Sequence, residues 1–177
     1  MSAPMTDPHT INAFMHAGKA VFTVVSRKTG TRFTYRVRKA DRPDFFFVDL
    51  LTGPENTADY AFIGTIGRRL QGDGCWAFQY SHRADSYSHE NAPSVVAISW
   101  LVERLNYVGR PLDPAQIEFW HAGTCARCGR DLTDPESIET GLGPVCREKA
   151  NGVSFAASCP TGTGRGANPR NYVKRGA

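Results

Sequence analysis

The sequence predicts an α+β protein: an antiparallel β-meander covered by a helix, followed by a C-terminal zinc-knuckle module of treble-clef-like outline. Three observations predict it. Between Ala20 and Tyr80, short runs rich in β-branched and aromatic residues alternate with turn residues. From Val95 onward the apolar spacing switches from a period of two to a helical one. Beyond that helix, Cys125, Cys128 and Cys146 crowd into one short window.

Residues 1–18 are polar, contain Pro4 and Pro8 and show little periodicity, so they read as a flexible N-terminal tail with at most a short helical turn around 11–16. The sheet-plus-helix domain is assigned to 19–112. Its first strand, Val21-Phe22-Thr23-Val24-Val25, is closed by the turn Arg27-Lys28-Thr29-Gly30. The partner strand alternates: Phe33, Tyr35 and Val37 point one way, and Arg32, Thr34, Arg36 and Arg38 the other. This predicts a β-hairpin with an apolar inner face and a cationic outer one. A third strand, Phe45–Leu51, ends at the turn Thr52-Gly53-Pro54-Glu55-Asn56. Residues 60–66 form a fourth strand and 75–80 a fifth, joined by a glycine-rich link over 67–74.

After a polar loop, Val95, Ile98, Leu101, Val102 and Leu105 make a stripe at helical spacing, with Pro93 and Ser94 at its start. A helix over 93–106 should therefore cover the inner face of the sheet. Asp113, Pro114 and Gln116 have the pattern of an N-cap, a first helical residue and a reciprocal cap. They predict a second short helix that carries Ile117, Phe119 and Trp120 into His121. The zinc module is assigned to 113–152, and the glycine-rich, basic, aperiodic stretch 153–177 to a flexible tail.

The chain has 177 residues, 41% of them hydrophobic, which is enough for one medium domain or a small core with an appended module. No apolar run approaches the roughly 18 residues needed to cross a bilayer. The N-terminus lacks a basic segment followed by an apolar stretch, and the expectation is a soluble cytoplasmic protein. The net charge of +4 is unevenly spread: 19–42 holds eight basic residues against Asp41 alone, and the last 18 residues hold four basic residues and no acid. Segregated positive charge of this kind points to a polyanion on one face.

Of five cysteines, three are clustered, which favours a metal site over a disulfide framework. Cys75 and Cys159 stand apart and read as free thiols. Two residues separate Cys125 from Cys128, so both thiolates can converge on one ion from a tight turn, with Gly129 following. Gly141-Leu142-Gly143-Pro144 should place Cys146 in the first turn of a short helix, Pro144–Ala150. Tetrahedral zinc needs a fourth ligand. His121 is assigned to it, with Cys159 as the alternative. Four protein ligands would make the zinc a folding device and leave catalysis elsewhere.

At these residues the sequence resembles an uncharacterised family of phage and prophage proteins. The likeness rests on His121, Cys125 and Cys128, then Gly129-Arg130, Leu132-Thr133, Pro135, Ser137-Ile138, Gly141, Gly143-Pro144 and Cys146. Looser similarity runs through 22–37, 51–54 and 100–105, and none covers 68–92. The resemblance implies a mobile-element origin, a bacterial host cell and the His-Cys-Cys-Cys ligand set. It implies no activity.

Nucleic acid is the leading partner. Arg32, Arg36 and Arg38 on one strand face, with Arg27 and Lys28 at the hairpin tip, would track phosphates. Arg127 and Arg130 at the knuckle would extend that surface, and the basic tail would add non-specific grip. A solvated hairpin that uses arginine against aggregation is the plain alternative. A second function class is an interaction protein that inhibits a host nuclease or a CRISPR-type defence complex, presenting acids such as Asp44, Asp49, Glu55, Asp59, Asp73 and Asp85. A third is a metal-dependent enzyme using His82, Asp85 and His89 in the polar loop. No P-loop, dinucleotide fingerprint or nucleophile elbow is present, and no small-molecule substrate is evident. Gly64-Thr65-Ile66-Gly67 has the spacing of the backbone-clamping loop of some RNA-binding folds, but is expected between strands, not helices.

Overall fold

The computed structural model describes residues 4–72, 74–106 and 111–150. Its elements are α1 (Pro8–Met15), β1 (Lys19–Ser26), β2 (Arg32–Lys39), β3 (Phe45–Leu51), β4 (Tyr60–Leu70), β5 (Trp76–His82), α2 (Pro93–Leu105), β6 (Ile117–His121), α3 (Pro135–Thr140) and α4 (Pro144–Ala150). The strands form one antiparallel sheet in the order β5-β4-β3-β2-β1-β6. Among the described residues no helix is long and apolar enough to cross a membrane.

The β1–β2 hairpin forms where the alternation predicts it, with Phe22 opposite Tyr35 and Val24 opposite Phe33. Phe22, Val24, Tyr35 and Val37 are buried on the inner face, each worth about 1.5–3 kcal/mol of burial. Gly30 turns the tip at φ 71°, a backbone state that a side chain resists. Helix α2 lies mainly against β5 and buries the predicted stripe Val95, Ile98, Leu101, Val102 and Leu105. Tyr35 reaches it from below, donating its hydroxyl to the Ser94 carbonyl at 2.7 Å.

Three expectations are corrected. The N-terminal segment is not a tail: α1 is capped by Asp7, whose carboxylate accepts from Thr10 N–H at 2.7 Å, and its Ile11, Phe14 and Met15 are fully buried. Asn12 Nδ2 donates to the Leu105 carbonyl at 2.7 Å and ties α1 to the end of α2. The segment is short, but it carries three large apolar side chains that only the core can accommodate.

Strand β4 runs past its predicted end to Leu70, because β5 offers it a continuous ladder from Gly64 opposite His82 to Leu70 opposite Trp76. The Gly64–Gly67 stretch is therefore strand, and the glycine-rich link is shorter than expected. A register shift between Val48 and Asp49 makes Gly64 pair with Val48 and Phe62 with Asp49.

The predicted second helix after Asp113 is one turn followed by β6. Gln116 N–H and Ile117 N–H both donate to the Asp113 carbonyl at 2.9 Å, and the chain then straightens along β1. Phe119 stacks on Phe22 with ring centroids 4.6 Å apart. Pairing satisfies the backbone groups that β1 would otherwise leave at the sheet edge, which outweighs a local capping preference.

Candidate metal centre and cationic surface

Each thiol of the C-terminal module is positioned by local backbone chemistry. Gly129 N–H donates to the Cys125 carbonyl at 2.8 Å, and Gly129 has φ 81°, closing the knuckle as the glycine there requires. Bonds from Cys125 N–H to the Arg130 carbonyl and from Leu132 N–H to the Gly123 carbonyl make the knuckle the tip of a small hairpin. Helix α3 is capped by Asp134, which accepts from Ser137 N–H at 3.0 Å, and ends on Gly141 at φ 69°. Pro144 then opens α4 and sets Cys146 in its first turn.

The module is stitched to the sheet. Lys19 N–H donates to the Ala126 carbonyl at 2.6 Å and Ala122 N–H to the Val21 carbonyl at 3.0 Å, while Ala126 N–H, bonded to the Gly141 carbonyl at 3.1 Å, ties the knuckle to the end of α3. The cysteine loop thus hangs from the start of β1.

The sulfurs of Cys125, Cys128 and Cys146 all lie within 4.8 Å of one another. Ligands about 2.3 Å from a tetrahedral zinc would sit about 3.8 Å apart, so a small inward adjustment brings them to bonding geometry. Burial pushes the Cys125 thiol up, but amide donors from Cys128, Gly143 and Arg127 outweigh it and hold the group down to about 7. Gly143 N–H, 3.4 Å from its sulfur, is the donor that the α3–α4 turn supplies. Cys146 is pushed up to about 11, first by burial and then by its hydrogen bonds to the other two sulfurs and their charge. Three thiols so placed repel as thiolates, and a cation among them relieves that repulsion. The donor set is compatible with zinc.

His121 stands outside this group. Its Nδ1 accepts from Gly123 N–H at 3.0 Å, and its Nε2 lies 2.6 Å from the Ile138 carbonyl. Both ring nitrogens contact backbone, so His121, expected from the sequence as the fourth ligand, here links β6 to α3 beside the cysteine group. Cys159, the alternative ligand, lies outside the described residues, as does the basic tail over 153–177. Cys75, read as a free thiol, is disulfide-bonded.

Among the described residues the cysteine trio is the one group of metal-binding side chains brought together. The loop of the enzymatic reading is held differently. His82 Nε2 lies 2.8 Å from the Ser88 carbonyl, His89 Nδ1 accepts from Asn91 N–H at 3.2 Å, and Asp85 joins neither in a metal-sized cluster.

The seven expected cationic contacts separate into two classes. Lys28, Arg32, Arg127 and Arg130 are exposed, whereas Arg27 is paired with Glu118. Arg36 and Arg38 close on Asp49, which is 2% exposed: Arg36 Nε is 3.0 Å and Arg38 Nε 2.6 Å from the same carboxylate oxygen. The Arg36 guanidinium also lies over the Tyr60 ring, 4.2 Å from its centroid. Sequence reasoning missed this Arg36–Asp49–Arg38 clamp, because it appears only once β2 and β3 are in register. It also missed α3, although Asp134 before it, Pro135 at its first position and Gly141 after it are ordinary start and stop signals.

No curated protein and no solved structure matches the chain. Residues 120–151 match DUF6011, a family of unknown function, so the similarity covers the segment that carries His121 and the three clustered cysteines.

Proposed function

We propose that this chain is a nucleic-acid-binding accessory protein, of phage or prophage origin and acting in the bacterial cytoplasm, whose treble-clef-like C-terminal module is closed by a structural zinc ion. The observation that carries the reading is the β1–β2 hairpin. Within 19–42 eight basic residues face one acid, and among the described residues no carboxylate pairs with Lys28 or Arg32. Those two side chains meet phosphates directly. Arg36 and Arg38 keep the strand face rigid through Asp49 and together retain one net positive charge, while Arg127 and Arg130 extend the surface towards the knuckle.

Cys125, Cys128 and Cys146 would hold the zinc, which supplies cross-linking and no reaction step. A module of some 30 residues has too little core to hold α3 and α4 in place alone. Its bonds to the start of β1 make the metal a support for the hairpin's base.

Binding of labelled single-stranded DNA, single-stranded RNA and duplex, followed against salt, tests the reading. Affinity should fall steeply as salt rises, and Lys28→Glu with Arg32→Glu should reduce both the affinity and the salt slope. Folded, zinc-loaded protein that ignores all three ligands at low salt removes the proposal. A stoichiometric protein partner retained from bacterial lysate after nuclease treatment would replace it with the inhibitor reading.

A further inference from the structure

We infer that the cleft beside the β2–β3 connection is a nucleotide subsite, taking the phosphate of one nucleotide on Arg42 and Arg69 and its base on Trp76. The inference rests on the nucleic-acid reading and adds to it a place and a strandedness.

The cleft arises because β4 outruns β3. The last β3–β4 pair is Phe45 with Gly67; beyond it Arg68 N–H donates to the Asp44 carbonyl at 3.2 Å, and Arg69 and Leu70 continue with β5 alone. The overhang and the connection enclose about 600 Å³, lined by Arg42, Asp44, Phe45, Arg68, Arg69 and Trp76 among others. That volume lies within the range of small-molecule sites.

Its charge is unbalanced. Three guanidinium groups face the single carboxylate of Asp44, and Arg68 takes that carboxylate at 3.8 Å. Arg42 lies over the Phe45 ring, 5.5 Å from its centroid, and Arg69 reaches the Ser81 hydroxyl at 3.4 Å. Among the described residues neither Arg42 nor Arg69 has a carboxylate partner, which leaves two forked donors for phosphate.

The aromatic part decides between nucleotide and bare anion. Trp76 is 46% exposed and Leu70, opposite it in the ladder, 59%. β5 is the sheet's edge strand, where arginines alone would pass as protection against edge-to-edge pairing. An exposed indole and an exposed leucine at the same spot do the reverse. An indole lining the same cleft as guanidinium donors instead matches a base with its phosphate. A base must leave a duplex to lie on Trp76, so the ligand is a single strand.

The cleft and the hairpin tip lie at opposite ends of β2. Eight extended residues set them about 25 Å apart. One strand engaging both gains from their linkage, and a strand too short to reach both loses that gain.

The test uses the full chain and labelled oligothymidylate of about a dozen nucleotides, a length within the span of single-strand sites. Trp76→Ala, and separately Arg42→Ala with Arg69→Ala, should each weaken binding at least about fivefold, the lower end of the loss of one base–aromatic stack. Binding should quench tryptophan fluorescence, and Trp76→Phe should remove most of that quench despite Trp100 and Trp120. These side chains are exposed or line the cleft mouth, and unchanged circular dichroism verifies that the variants fold. If wild type binds and Lys28→Ala with Arg32→Ala weakens it while the cleft variants match wild type, the subsite is wrong and the broader function stands. If wild type binds no strand, both fail.

Discussion

The imidazole of His121 joins the end of β6 to helix α3 through its contact with the carbonyl of Ile138, 2.6 Å away. Gly123 N–H donates to Nδ1, so the proton sits on Nε2 and is donated to Ile138. A ring engaged at both nitrogens braces the cysteine module. His121→Ala should therefore leave about one zinc per chain by elemental analysis while costing about 1–3 kcal/mol of stability. Cys125→Ser and Cys146→Ser should lose the metal. Zinc lost to the same extent in His121→Ala would restore the histidine as a ligand.

Gly141 couples the same module to the core from the other side. Its φ is 69°, and a Cβ there would come 2.2 Å from Cδ2 of Phe14. Gly141→Ala meets both a strained backbone and a collision with a fully buried ring. We expect a loss of about 2–4 kcal/mol, measured by urea unfolding, and faster removal of zinc by a chelator. A variant as stable as wild type would mean that Phe14 yields easily.

Asp49 is the anion that two arginines share, so removing its charge acts on stability and binding in opposite directions. Asp49→Asn should lower stability by about 1–3 kcal/mol, reduced from a fully buried pair because Arg38 is 46% exposed. The same change leaves one more positive charge on the β2 face. Nucleic-acid affinity at low salt should rise and the logarithmic salt slope should steepen by about one. Weaker binding in a folded variant would show that the clamp itself, and not its net charge, is read.

His16 makes stability depend on pH. Its ring stacks on Phe78 with centroids 4.0 Å apart, and Nδ1 donates to the Asn12 carbonyl at 2.9 Å. Burial pushes its pKa down from 6.5 to about 4, with the Asn12 bond opposing. The folded state resists a proton that the unfolded chain accepts, so this stability is complete above pH 6.5 and is lost as pH falls towards 4. The loss should approach about 3 kcal/mol across that window. Thermal unfolding between pH 7 and pH 4 should show the decline, and His16→Phe should flatten it. An equal decline in that variant would assign it to other groups.

The parts of this fold that were legible beforehand are those whose cause lies within a few residues. Strict alternation from Arg32 to Arg38 specified a strand with two unlike faces, and the apolar stripe from Val95 to Leu105 specified a covering helix. Two cysteines three positions apart, with a third behind a glycine-rich turn, specified a cysteine cluster whose sulfurs do converge. Periodicity and turn chemistry act over one or two turns of chain, so they survive being read in isolation.

The remainder depended on which distant segments meet. Asp113 and Gln116 carry a genuine helix-start signal, yet it yields one turn because β1 offers Ile117–His121 a free edge. The segment around α1 looks like a tail until α2 and α3 supply the surfaces that bury Ile11, Phe14 and Met15. Arg36 and Arg38 look like free phosphate ligands until the β2–β3 register sets Asp49 opposite Arg36. His121 has the chemistry of a ligand, but the backbone of α3 claims its second nitrogen first. Side-chain type follows from composition, whereas the partner that satisfies a buried polar group is chosen by tertiary contact, because desolvation makes every such group bond to whatever the fold brings within reach.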